Sequence, residues 1–361
     1  MKESVKSINQ SINGNAISKN RDSYLDFLKG IAALSIIAIH TSFYSGQSYT
    51  PEWFQSLTLI LDVPFFFFLS GWGVSLKKNI IISKVLQSIF NIWLKWCMFI
   101  CIILIMCIIL GFSLYANDYN FIRALGLGVF FHVYIPMLPC IGGSMWFMEW
   151  FFIIILVNQI ILSLPIIEDK EQFKKYYFLL MVVIFLWILN NRYFLGISSY
   201  FVFYSIFFMM GTIHQRIKLN KCYKLIVFLM LVLFFTYLSN YLCDANLLNM
   251  QSAKFPPSPK YMFYSLITIG VAIYLKRYNL SNKLIEKIGK NALWFYFAQG
   301  VSSSLLYYII KYIPIDVWFA KWLVMLVINI IVAVIIAECF RMIWKSIFNS
   351  CLRISMKKAE K

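Results

Sequence analysis

Acidic side chains are scarce in this chain: 15 Asp and Glu stand against 33 Lys and Arg, a net charge of +18. Charge of either sign is thin, at 13% of residues, where a soluble domain carries about 25%. That excludes an ordinary soluble domain. The basic excess does not make the chain a nucleic-acid binder, because the cations punctuate apolar segments instead of gathering on one polar domain. Histidine is rarer still, with three residues. There is no His-Glu-x-x-His zinc helix, no Gly-x-x-x-x-Gly-Lys phosphate loop and no Gly-x-Ser-x-Gly elbow, which sets aside those three catalytic classes. Eight cysteines are present without a Cys-x-x-Cys pair or a histidine at metal-ligand spacing, so no metal site is expected. Cys97, Cys101 and Cys107 share one apolar run and Cys339 lies in another; they read as small apolar residues. Only Cys140 and Cys243 are placed for an extracytoplasmic bridge. Residues 1–25 are polar and lack the apolar core of a signal peptide, and they read as a cytoplasmic tail.

What the chain does have is apolar length. It is 61% hydrophobic and 19% aromatic, with a mean hydropathy of +0.74. The expectation is an all-α, polytopic integral membrane helix bundle, with aromatic residues near the helix ends as interfacial anchors. About ten spans are expected, at 29–46, 57–76, 86–112, 144–164, 175–194, 198–216, 223–243, 260–277, 290–311 and 316–340. With the N-terminus inside, 26 Lys and Arg fall on inner segments and six on outer ones, Arg123, Arg192, Lys254, Lys260, Lys311 and Lys321. This positive-inside alternation puts both termini in the cytoplasm. The membrane domain is then 26–341, followed by a basic cytoplasmic tail at 342–361. Two outer connections are long. One contains 121–133, which reads as a surface helix. The other contains Phe255-Pro256-Pro257-Ser258-Pro259, which cannot continue a helix. No internal repeat is visible.

Polar groups inside the spans are the candidates for function, because ionisable side chains at that depth are costly. In the first span Lys29 and His40 are eleven residues apart, about 16 Å or three turns, so they share a face. If Lys29 marks the membrane surface, His40 lies near the middle of a hydrocarbon core about 30 Å thick. In the second span Pro64 is expected to kink the helix, and Ser70, Gly71 and Gly73 to admit a close neighbour or a ligand. Lys95 in the third span is expected to pair with a carboxylate or face an anion. Glu149 in the fourth is placed to orient His40, bind a sugar hydroxyl or pair with Lys95. Tyr296 and Gln299 share a face of the ninth span. His132 and His214 read as ordinary interfacial residues.

These motifs together resemble one family. Arg21…Leu25-Asp26-x-x-Lys29-Gly30-x-Ala32…His40 is similar to the opening of the acyltransferase-3 family of membrane-bound acyltransferases, whose first helix carries Arg or Lys, ten residues, then His. Val63-Pro64-Phe65-Phe66-Phe67-Phe68-Leu69-Ser70-Gly71 resembles its Phe-Phe-x-x-Ser-Gly segment, Trp146-Phe147 its Trp-Phe step, and Ile288-Gly289-Lys290-Asn291…Tyr296 its late Gly…Tyr segment. Two positions depart from the family pattern. An Arg-x-x-Arg pair is replaced by Lys84-Val85-Leu86-Gln87, and a late histidine by Gln299.

The resemblance implies an O-acyltransferase, acetyl in the first instance. Its donor is cytoplasmic acetyl-CoA or another acyl-CoA as co-substrate, with no permanently bound cofactor. Its acceptor is a hydroxyl of an extracytoplasmic cell-surface polysaccharide or lipid-linked saccharide. His40 is implied as general base or transient acyl carrier. Lys29, with Asp26 orienting it, and Lys84 lie toward the anionic donor. Ser70, Lys95, Trp146, Glu149, Tyr296 and Gln299 are left to the cavity or acceptor. The Lys-, Asn- and Ile-heavy usage suits a low-GC bacterium, and hence the bacterial cell membrane. The rival class is a non-enzymatic polysaccharide exporter or flippase.

Overall fold

The computed structural model describes residues 22–45, 49–77, 80–112, 120–163, 182, 197–216 and 249–359. Over these residues the chain is helical and has no β-strand. The expected spans at 175–194 and 223–243, residues 1–21 and Cys243 lie outside them. The helices are α1 (Ser23–Tyr44), α2 (Glu52–Thr58), α3 (Val63–Ser75), α4 (Ile82–Ile109), α5 (Phe121–Val129), α6 (Pro139–Ser144), α7 (Trp146–Ser163), α8 (Ile197–Arg216), α9 (Met250–Lys254), α10 (Pro259–Leu275), α11 (Lys283–Lys290), α12 (Ala292–Ile309) and α13 (Trp318–Ala359). Among the described residues, five segments are long and apolar enough to cross a membrane: Ser23–Tyr44, Glu52–Ser75, Ile82–Ile109, Pro139–Ser163 and Trp318–Ser350. Helices α8, α10 and α12 occupy three further positions where spans are expected.

The second expected span is divided, and the fourth and ninth are each preceded by a short helix across a break at the start of the span. The second expected span is α2, a 3₁₀ turn at Leu59–Leu61, an extended Asp62, and then α3. Pro64 therefore does not kink a continuous helix. It stands in the first turn of α3, where a missing N–H costs nothing because that donor has no partner within the helix. The break before the fourth is at Met145, between α6 and α7. The break before the ninth is at Asn291, between α11 and α12. The surface helix expected within 121–133 is α5. Pro259 opens α10 after the Pro-rich segment. The last expected span runs on without a break into the basic tail as one helix, α13, as far as Ala359.

Close approaches between helices run over glycine. A side chain on Gly71 would overlap the backbone carbonyl of Phe208 on α8, and one on Gly211 would overlap that of Phe68 on α3. The two glycines thus seat α3 and α8 reciprocally, and Phe67, Phe68, Trp72, Phe203, Phe207 and Phe208 close around the contact with no exposed surface. Small residues let backbones meet where lipid supplies little hydrophobic drive between helices. Gly30 against Ile285, and Gly289 against the Asp26 carbonyl, fasten α11 to α1 in the same way. Gly71→Val is expected to destabilise the bundle by about 1–3 kcal/mol through overpacking, since the obstructing atom is backbone and cannot rotate away. Heating in detergent followed by size exclusion reads this, and an unchanged melting midpoint would refute it.

Candidate active site

Helix α1 carries His40 one turn before its C-terminal end and Lys29 two turns from its start. His40 lines a cavity of about 210 Å³. Its walls come from Ile36, Phe43 and Tyr44 of α1, from Asp62 and Val63 at the start of α3, from Trp146 and Phe147 of α7, and from Tyr296 of α12. Gln251 and Lys254 of α9, with Phe255, cover it. The breaks at Asp62 and Met145 are what bring helix ends, and not helix flanks, to this space.

Nδ1 of His40 is hydrogen-bonded to Oε1 of Gln299. Gln299 has no exposed surface, and its Oε1 also accepts from the Cys140 thiol at 3.7 Å. An acceptor facing Nδ1 favours the tautomer that carries the ring proton on that nitrogen and leaves Nε2 its lone pair. Neighbouring bonds hold this geometry. Asn329 of α13 donates to Thr41 at 2.9 Å and to Ser303 at 2.9 Å, and accepts from Ser302 at 2.6 Å. That fully buried asparagine clamps α1 to α12 beside both His40 and Gln299. The Tyr44 ring stands edge-on to the imidazole, with centroids 5.5 Å apart. The Tyr296 hydroxyl donates to the Ser144 carbonyl at 2.7 Å.

A buried ion pair forms another part of the wall. Lys254 Nζ lies 2.7 Å from Asp62 Oδ2, with side chains 9% and 2% exposed. The Tyr261 hydroxyl donates to the same oxygen at 2.7 Å. The ammonium also lies over the rings of Trp146, at 5.7 Å, and Phe255, at 5.3 Å. Carboxylate, phenol and π-faces together offset the desolvation of the charge.

Of the residues that the sequence points to, His40, Trp146 and Tyr296 line this cavity and Gln299 backs His40. The others stand elsewhere. Ser70 turns back on its own helix and donates to the Phe66 carbonyl at 2.8 Å. Glu149 is half-buried on α7 and does not line the cavity; Gln299, not Glu149, meets His40. Lys95 lies 5.6 Å from the rings of both Trp294 and Trp344, so aromatic faces take the place of the expected carboxylate. Asp26 is buried where α1 meets α11, Lys29 is half-buried facing Gly73, and Lys84 is exposed in the first turn of α4. Asp26 and Lys29 belong to the opposite end of α1 from His40. Cys140 is a buried free thiol. Among the described residues no group of three His, Cys, Asp or Glu is arranged to hold a metal ion.

Sequence reasoning misses Asp62, Lys254, Tyr261 and Tyr44. Asp62 carries a readable signal, an ionisable residue in an apolar run. Lys254 does not, because it sits in a polar connection and counts as one more outer cation.

The arrangement presents an imidazole with Nδ1 engaged by Gln299 on the wall of a cavity that an ion-paired ammonium also lines. Nε2 of such a ring can take a proton from a bound hydroxyl. In comparison with known families, the model described as an acyltransferase domain matches residues 22–338. Neither the curated proteins nor the solved structures gave a match.

Proposed function

The chain belongs to the acyltransferase-3 family, and on that basis we propose that it is an O-acyltransferase moving an acyl group, acetyl in the first instance, from cytoplasmic acyl-CoA to a hydroxyl of an extracytoplasmic glycan or lipid-linked saccharide. It is a multi-pass membrane acyltransferase; the bacterial cell membrane as its site belongs to the proposal. The observation that carries the reading is His40, lining a cavity between helix ends with Nδ1 bound to Gln299.

In this mechanism Nε2 accepts the proton of the acceptor hydroxyl as its oxygen bonds to the acyl carbon. The thioester C–S bond breaks, and the proton passes to the departing thiolate. If His40 instead carries the acyl group, Nε2 first forms the C–N bond as the thioester C–S bond breaks and the thiolate leaves; the hydroxyl oxygen then bonds to the acyl carbon as the C–N bond breaks, and its proton passes by way of the freed imidazole to the thiolate. Either route gives the same ester and free CoA. Lys254, held by Asp62, supports negative charge on the acyl oxygen. Lys29 and Asp26, at the other end of α1, and Lys84 suit an anionic donor. The aromatic walls limit competing hydrolysis by water.

The test is purified protein in nanodiscs with acetyl-CoA and the delipidated surface glycan of the source cell. Expected is release of free CoA thiol matched by alkali-labile acetate on the glycan. Export without chemistry would release no thiol and leave no ester.

A further inference from the structure

Beside the His40 cavity lies a second and larger depression of about 460 Å³, lined by α2, α9 and the outer end of α1. That is within the range of about 300–1,000 Å³ typical of small-molecule sites. The two spaces adjoin, and Phe43, Gln251 and Phe255 line both. Glu52, Gln55, Ser56, Asn249 and Ser252 complete the polar lining of the outer one.

The available hydrogen-bonding groups identify what fits. Glu52 and Gln251 are exposed and make no hydrogen bond or ion pair with another described residue. Gln55 spends its amide nitrogen on Thr50, at 3.0 Å to the hydroxyl, which leaves its carbonyl oxygen for a ligand. Asn249 spends its carbonyl oxygen on the Ser252 N–H at 3.1 Å, which leaves its amide nitrogen. Donors and acceptors are therefore both present in the depression, and Phe43 and Phe255 are shared with the His40 cavity. Planar amides and a carboxylate match pairs of neighbouring hydroxyls, and an aromatic ring matches the C–H face of a pyranose. An acyl chain would leave these polar groups unpaired. A nucleotide or acyl-CoA would meet no lining cation: among the described residues Glu52 is the depression's one charged side chain, and Lys254 lines the His40 cavity instead.

We propose that this depression is the acceptor subsite and that it takes an uncharged saccharide, delivering one hydroxyl past Gln251 to His40. The word acceptor rests on the acyl-transfer reading; the saccharide site itself does not.

The experiment is saturation-transfer difference NMR on the full chain in nanodiscs. The probes are an equimolar mixture of maltotriose, galactobiose and N,N′-diacetylchitobiose, and separately digalacturonic acid. At least one neutral probe is expected to show ring-proton saturation, and digalacturonate none. Gln251→Ala is expected to lower the signal about five-fold, the effect of losing a side chain's hydrogen bonds to a ligand. Glu52→Gln is expected to admit digalacturonate, a gain that general damage to the fold would not produce. No saturation by any neutral probe, a stronger signal from digalacturonate, or indifference to both groove substitutions would each overturn the proposal. Saccharide binding without acyl transfer would keep the subsite and remove the enzyme reading. Acyl transfer that is indifferent to Gln251→Ala and Glu52→Gln would do the reverse.

Discussion

Replacing His40 by alanine is expected to abolish ester-linked acylation of the surface glycan while the protein still inserts and accumulates. A general base contributes about 10²–10⁴-fold in rate, and loss of an acyl carrier would cost at least as much. The geometry separates this effect from damage to the fold. His40 is half-buried on a cavity wall, so truncation enlarges an existing space without opening a packed core. The clamp that seats α1 on α12 is made by Asn329, Thr41 and Ser303, none of which is altered. His40→Gln sharpens the test. Its amide keeps polar reach toward Gln299, but it is no base at neutral pH. Both variants should therefore be inactive at wild-type protein levels. The readout is acetate released by mild alkali from isolated glycan, normalised to the protein recovered in membranes. Wild-type acetate from either variant would remove His40 from the mechanism.

The second large effect is expected at the Lys254–Asp62 pair. Asp62→Ala leaves an ammonium with little access to water and no counter-charge, and it also strands the Tyr261 hydroxyl. Breaking one side of a buried pair costs about 3–5 kcal/mol, whereas replacing both partners with apolar residues of similar volume is often close to neutral. Asp62→Ala should thus lower the thermal midpoint in detergent markedly. Asp62→Leu combined with Lys254→Met should recover most of the loss, though not all of it, because Tyr261 still lacks its acceptor. If the double variant is less stable than Asp62→Ala, the pair is not the coupled unit described. Acyl transfer by the double variant separates its two roles: recovered stability with lost turnover would place the ammonium in the chemistry.

Much of the helical layout is legible in the chain itself, for a local reason. A segment's hydropathy is carried by its own side chains, and eight of the expected spans coincide with helices at α1, α3, α4, α7, α8, α10, α12 and α13. Helix interruptions are harder to read. Asp62 and Met145 lie in strongly apolar surroundings, so composition alone runs through them, while the backbone turns there because tertiary contacts hold it. The α3 start illustrates this: Pro64 is compatible both with a kink and with a first turn, and the Asp62 contacts to Lys254 and Tyr261 accompany the second.

The candidate site divides along the same line. His40 can be picked from the chain itself, since an imidazole in an apolar helix is anomalous wherever its neighbours turn out to be. Its partner cannot. Gln299 is 259 positions away, and an amide in an apolar helix is equally compatible with a packing role. The Tyr261–Asp62 contact spans 199 positions, and Lys254 has the sequence context of a solvated outer cation although the fold buries it. Membrane character and the anomalous histidine are properties of single segments, and the order of residues settles them. Which side chains meet across helices, which cations keep their charge exposed, and where a ligand-sized space remains are properties of packing. Those were decided by glycine contacts and buried polar clamps between distant segments.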